Sequence, residues 1–250
     1  MASCALISDI HGNRLALEAV LADIALRGIG QTYCLGDLVG YGPDPNGVID
    51  IIRDAGIPVV LGNYDDGIGR DTGDCGCFYA TPEAERMGAA SYAFTAAEVT
   101  PERKAFLRSL PRDRHVSAGG ASVHLVHGSP RRINEYLLRD REEATFLRLA
   151  AEAMDQALAF GHTHEQWARP YGGVLFVAAG SVGRPKDGDS RAMYTVLREV
   201  GGTGPETAAG AAAGLSAEAV RVAYDVEAVC SAMIAAGLPG GLAEALRSGR

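Results

Sequence analysis

Four of the six histidines directly follow short apolar runs, and carboxylates and an amide stand at equivalent places. Residues 5–7 are apolar and lead into Ser8-Asp9-Ile10-His11-Gly12-Asn13. The runs at 122–126 and 157–160 lead into His127-Gly128 and Gly161-His162-Thr163-His164. Asp37, in Gly36-Asp37, and Asn63, in Gly62-Asn63-Tyr64-Asp65, follow apolar runs in the same way. An apolar run that stops in polar residues is how a buried strand delivers side chains to its C-terminal edge. Alternate residues of a strand share a side, so Asp9 and His11 are expected to converge. Taken alone, that pair also reads as a helix-capping Asp beside a solvated His; recurrence at five strand ends favours a metal site. Asp9, Asp37, Asn63, His11, His127, His162 and His164 are too many ligands for one tetrahedral zinc. They suit two five- or six-coordinate ions sharing a bridging carboxylate and a bridging water. Nitrogen and oxygen donors without thiolate fit Mn, Fe, Co, Ni or Zn divalent ions, with Mn2+ favoured.

The elements that must hold these side chains can be read in outline. Strands are predicted at 4–8, 32–35 and 58–61, with helices at about 14–27 and 45–55 between them. Asn13 is a candidate cap, Gly28 a stop, and Pro45 suits a first helical turn. This alternation predicts a parallel sheet with crossover helices and three polar motifs at one edge. Residues 66–80, rich in Gly and Asp, read as a long loop. Thr81-Pro82 and Thr100-Pro101 predict helices near 82–97 and 101–109, so that about 66–110 forms an insertion able to cover the site. The second half reads as mostly antiparallel strands: 115–117 with 122–126, 157–160, 166–170 with 174–178, and 193–198. A helix is expected near 141–153. Residues 201–218 read as a flexible Gly- and Ala-rich connection. A last strand at 220–224 and helices near 226–236 and 239–248 form a C-terminal extension over about 219–250. No composition break divides the 250 residues, so a single domain is expected.

Composition narrows the functional classes. Hydrophobic residues make up 47%, enough for a core without covalent staples. A net charge of −8 with no basic block argues against non-specific nucleic-acid or membrane-surface binding. A metal can still reverse the field locally for a phosphate. No apolar run approaches the roughly 18–20 residues of a membrane span, and no signal peptide is read at the N-terminus. Five cysteines in no repeating framework point to a reducing compartment, and a cytoplasmic protein is expected.

The ordered series Asp9-Ile10-His11-Gly12, Gly36-Asp37, Gly62-Asn63-x-Asp65, His127-Gly128 and Gly161-His162-Thr163-His164 resembles that of the calcineurin-like metallophosphoesterases. The stretch from Leu35 to Pro43 resembles their small bacterial and archaeal phosphodiesterase branch. The resemblance spans about residues 4–183. It implies an α+β fold, a four-layer α/β/β/α sandwich of two mixed sheets, with a dinuclear centre at the inner sheet edges. It implies that Asp9, His11, Asp37 and His164 hold one ion, and that Asp37 bridges to a second held by Asn63, His127 and His162. The reaction then expected is attack of a metal-bridging hydroxide on a small organic phosphodiester or monoester, with a nucleotide-derived ester the one the branch resemblance implies first. Many members carry His in the third motif, at the place of Tyr64. Tyrosine, with a pKa of about 10, donates a hydrogen bond but shuttles protons poorly at neutral pH. Asp37, Asn63 and Tyr64 are thus the candidate catalytic residues.

Other residues carry weaker readings. Arg131 and Arg132, close after His127, are candidates for contact with substrate phosphate or base, against a solvated surface pair. Tyr41, Tyr79 and Tyr136 are candidates for a substrate wall. Cys75-Gly76-Cys77 reads as structural or incidental, since one intervening residue makes a disulfide awkward. His115 and His124 read as ordinary strand residues. The rival functions are a serine/threonine protein phosphatase and a non-catalytic metal-binding scaffold of the same fold. The sequence leaves the oligomeric state open, a homo-oligomer included.

Overall fold

Apolar residues alternate along the central strands, and both sets are buried. In β1 (Ser3–Ile7), Ala5 and Ile7 face one core while Cys4 and Leu6 face another. A strand with two buried faces needs a layer on each side. The computed structural model describes residues 3–118, 121–199, 211–212 and 214–250.

After β1 come α1 (Arg14–Leu26), β2 (Thr32–Cys34), α2 (Pro45–Asp54), α3 (Asn63–Arg70), α4 (Pro82–Glu98) and α5 (Pro101–Ser109). Then follow β3 (Asp113–Ala118), β4 (Ala121–Val126), α6 (Glu143–Glu152), β5 (Ala157–Phe160), β6 (Gln166–Tyr171) and β7 (Val174–Ala179). The chain closes with β8 (Ala192–Glu199), the two-residue β9 (Ala211–Ala212), β10 (Leu215–Val222), α7 (Val226–Ala235) and α8 (Gly240–Ser248). The Asn13, Asp44, Thr81 and Thr100 side chains cap α1, α2, α4 and α5, and Pro opens the last three.

Two mixed five-stranded sheets result, ordered β2-β1-β8-β10-β9 and β3-β4-β5-β7-β6. Leu6, Val123, Leu125, Ala157, Ala159, Leu175, Val177 and Leu197 fill the space between them. Ile7, Leu17, Val20, Ile49, Tyr194 and Met233 pack the first sheet against its helices. Phe146 and Leu149 of α6 cover Leu158, Phe160 and Phe176 on the outer face of the second. The layers are therefore helices, sheet, sheet, helix, as the family resemblance implies. Among the described residues no helix is long and apolar enough to cross a membrane.

Several local expectations are corrected. The strand expected at 58–61 is an isolated bridge between Cys34 and Val59, because Leu61 N–H turns to Pro111 and the chain enters α3. The first sheet is mixed, since β8 runs antiparallel beside β1. Conversely, β4, β5 and β7 of the second half are parallel, which the α6 crossover permits. The loop expected from residue 66 begins as α3, ended by Asp71 in the left-handed region. The last strand starts at Leu215 and pairs with β8 throughout, so the expected flexible connection shortens; residues 201–210 and 213 of it lie outside the described residues. Cys75 and Cys77 form a disulfide across a 5.4 Å Cα separation, against the sequence expectation.

Candidate metal centre

All seven candidate ligands stand just beyond strand ends or open a helix, in adjoining turns. β1 ends at Ile7, β2 at Cys34, β4 at Val126 and β5 at Phe160. Asp9, His11, Asp37, His162 and His164 all have positive φ, between 51° and 63°. That region is costly for most L-residues, though Asp, Asn and His tolerate it best. Asp9 and His11 therefore converge through sharp turns and not through strand alternation. Backbone bonds lock the turns together: Asp9 N–H donates to Gly36, His11 N–H to Asp37 and Gly183 N–H to Asp9. Glycines permit the approach. A Cβ on Gly62 would collide with Asp37, and one on Gly161 with Ser8.

Each residue of the set is at most 4% exposed. Three imidazoles are oriented by backbone carbonyls: His11 Nδ1 donates to Val39 (2.9 Å), His127 Nδ1 to Leu35 (2.7 Å) and His164 Nδ1 to Arg184 (2.5 Å). A carbonyl only accepts, so Nδ1 carries the proton in each ring. In His11 and His164 burial keeps the ring neutral, with a lone pair at Nε2. For His127 the neighbouring Asp37 outweighs burial and raises the pKa to about 9, so that its Nε2–H donates to Asn63 Oδ1. The Nε2 atoms of His11 and His164 face each other at 3.2 Å. His162 Nε2 is buried without a hydrogen-bond partner among the described residues. The Asn63 amide is turned by its Nδ2 donation to the Cys75 carbonyl, so that Oδ1 faces His127 Nε2 at 2.9 Å. Acceptors aimed at one another are unfavourable unless a proton or a cation lies between them.

The donors fall into two groups, Asp9-His11-His164 and Asp37-His127-His162, each with its ligand atoms within 4.8 Å of one another. Asp37 stands between them. Its Oδ1 accepts from Tyr64 N–H at 2.9 Å, while Oδ2 lies 3.8 Å from His11 Nε2 and 3.4 Å from His127 Nε2. Asp9 Oδ1 lies 3.5 Å from His164 Nε2, and both Asp9 oxygens receive His162 N–H. The electrostatics are consistent with cation binding. Burial pushes His11 down to about 4, and burial with neighbouring His127 pushes His162 down to about 3, so both stay neutral. Burial and then the nearby Asp37 raise Asp9, although His127 opposes them. For Asp37 itself, burial is outweighed by His127, and its pKa falls. Two carboxylates, four imidazoles and an amide, all buried, fit divalent first-row ions.

The family model for the calcineurin-like phosphoesterase superfamily domain matches residues 3–200. The chain belongs to that superfamily. An uncharacterised protein of Methanocaldococcus jannaschii is 32% identical, with 98% of each chain covered. The crystal structure of a metallophosphoesterase from Sphaerobacter thermophilus is similar at 27% identity and a TM-score of 0.74, covering 99% of this chain and all of that one. A hypothetical protein of Pyrococcus horikoshii shares the fold at 22% identity and a TM-score of 0.82, over 100% of this chain and 99% of that one.

Tyr64, expected as a catalytic candidate, lies in the packed interior beside the candidate centre. The residue is 1% exposed, and its ring packs among His11 (5.4 Å), Tyr41 (5.0 Å) and Tyr92 (6.4 Å). Its hydroxyl is buried without a hydrogen-bond partner among the described residues, and burial holds its pKa well above the usual value. A proton donor must reach the leaving group, and this hydroxyl is enclosed beneath the site. Arg131 and Arg132 line an open bay of about 560 Å³ with Asn134, Glu135, Tyr136 and Arg141. Tyr136 joins that bay to the centre, its ring 4.1 Å from that of His162. Glu135 pairs with both Arg131 and Arg141, whereas Arg132 has no ion pair among the described residues.

Sequence reasoning missed two supporting residues. Asp65 caps the turn by accepting from Leu38 N–H (2.9 Å) and Gly62 N–H (3.2 Å). Its place three residues after Gly62 was a usable capping signal. Arg184 offers its carbonyl to His164 and lays its guanidinium over Tyr41 at 4.0 Å. Nothing local in the sequence marks that contact.

Proposed function

We propose that this chain is a dinuclear metal-dependent phosphoesterase that hydrolyses a small organic phosphodiester or monoester. The reading is carried by one observation: buried ligand atoms in two groups, with unprotonated imidazole nitrogens turned toward each other and Asp37 Oδ2 between the groups. Asp9, His11 and His164 would hold one ion and Asn63, His127 and His162 the other, with Asp37 placed to serve both. Two divalent ions, Mn2+ foremost, supply an acidified water and positive charge for the phosphoryl oxygens. The protein's own part is orientation. Val39, Leu35 and Arg184 carbonyls fix the rings, and Tyr64 N–H holds Asp37 Oδ1 so that Oδ2 faces inward. The turns exclude water from the ligands and leave the Tyr136 side open to the bay. Arg132, whose charge is uncompensated, steers the anionic substrate, and Arg131 shapes the same wall.

The test is metal content after purification, followed by hydrolysis of an aryl phosphodiester and the matching monoester with added Mn2+. Asp37→Asn keeps the acceptor for Tyr64 N–H and removes the inward charge. It is expected to lower turnover at least 10³-fold, about 4 kcal/mol of transition-state stabilisation, with the fold retained. Turnover like that of the parent removes the bridging role. Bound metal without hydrolysis of either ester supports the scaffold reading instead.

A further inference from the structure

On the outer face of the second sheet, along β3 and β4, a separate set of donors meets. His115 of β3 and His124 of β4 are direct cross-strand partners, and their rings stack with centroids 4.2 Å apart. Asp113 lies two residues before His115 on the same strand face. Ligand atoms of Asp113, His115 and His124 all lie within 4.8 Å of one another.

The hydrogen bonding of this group is incomplete in an informative way. His115 Nδ1 lies 2.6 Å from Asp155 Oδ2, a carboxylate that only accepts, so Nδ1 carries the proton and Nε2 retains a lone pair. Asp155 is 9% exposed and holds the ring from behind, the arrangement by which carboxylates orient metal-binding histidines. His124 Nε2 is buried with no hydrogen-bond partner among the described residues. Its nearest acid is Asp113, 3.5 Å away and beyond a good hydrogen bond. That separation is close to the edge of a tetrahedron of donors about 2.1 Å from a zinc ion, roughly 3.4 Å. Asp9 and His164 in the buried centre stand 3.5 Å apart as well.

We propose that Asp113, His115 and His124 form a third, mononuclear site for a Zn2+-class divalent ion, with Asp155 as the positioning carboxylate. Water completes the tetrahedron on the exposed side, where Asp113 and His115 are about half accessible. Coordination turns the two rings out of parallel so that both nitrogens address one ion. The ion pins the edge strand β3 to β4 and to the turn before β5. The site is independent of the proposed hydrolysis, because none of its residues belongs to the buried centre.

The experiment counts metal. Chelator-stripped full-length protein is dialysed against Zn2+, and bound zinc is measured per chain for the parent, Asp113→Asn and His124→Gln. Each variant is expected to bind one equivalent fewer than the parent, with unchanged turnover on the aryl ester. Cobalt substitution follows the same site by its visible absorption, which is expected to lose one tetrahedral component in both variants. Equal zinc counts in all three proteins overturn the proposal, and His115 and Asp155 then form a plain ion pair. Asp113 is exposed, so Asp113→Asn decides the matter even where His124→Gln fails to fold.

Discussion

Gly161→Ala isolates how tightly the ligand turns must approach. Gly161 lies between β5 and His162, and its φ is outside the left-handed region, so the backbone accepts alanine without strain. The added methyl has no room. It would collide with Ser8 Oγ and sit 2.7 Å from Asp9 Oδ2, where ordinary contact begins at 3.4 Å. The Asp9 carboxylate must therefore retreat by about 0.7 Å, away from the His162 N–H that now binds both its oxygens. Overpacking of this kind costs about 1–3 kcal/mol, a melting-temperature fall of roughly 2–12 °C for a chain of this size. Misplacement near 1 Å costs on the order of 10²-fold in rate, so turnover is expected to drop about 10- to 100-fold with weaker metal retention. Gly30→Ala is the control. No atom lies within 4 Å of a Cβ at Gly30, and the same substitution there is expected to add about 0.4–1 kcal/mol by restricting the unfolded chain. Melting curves, metal content and aryl-diester hydrolysis of both variants are the assay. Parent-like turnover and metal affinity in Gly161→Ala would refute the close contact between the β1 and β5 turns.

Three further outcomes follow from named contacts. Tyr64→Phe removes a buried hydroxyl that has no good partner, so turnover is expected to stay within about threefold and stability to hold or rise slightly. A tenfold loss of rate would restore a proton-donating role to that hydroxyl. Phe146→Ala empties the aromatic cluster with Trp167, Tyr171 and Phe176, and chemical denaturation is expected to show a loss of about 3–5 kcal/mol. A loss below 1 kcal/mol would mean that α6 contributes little to the outer layer. Arg132→Ala is expected to raise KM for anionic esters several-fold at low salt, with little change in kcat, and to lose that effect at high ionic strength. An unchanged, salt-independent KM would return Arg132 to an ordinary solvated side chain.

The candidate ligands were legible because each stands near the end of a recognisable apolar run, and the family match covers the stretch that holds them. The continuous apolar runs at 157–160 and 174–178 also marked strands, which appear as β5 and β7. Proline-opened caps at Thr81 and Thr100 placed α4 and α5 within a residue or two. Strand direction was less legible. The second half reads as hairpins, yet β4, β5 and β7 run parallel, because direction depends on which strands meet and not on their composition.

The roles of Tyr64 and His124 show the same division. Tyr64 occupies a motif position, so its residue type suggested chemistry. The tertiary packing turns its ring inward against His11 and Tyr41 and leaves only its backbone N–H to serve Asp37. His124 resembles any strand residue until β3 sets His115 beside it and the turn before β5 brings up Asp155. By itself the sequence determined the ligand inventory, the apolar strands that carry it and the helix caps, because these depend on residue type and short-range spacing. The tertiary structure alone decided which lone pairs face each other, which Asp37 oxygen lies between the groups and which hydroxyl is shut away. Those facts depend on distances between residues 28 to 153 positions apart, and only packing brings such residues within hydrogen-bond reach.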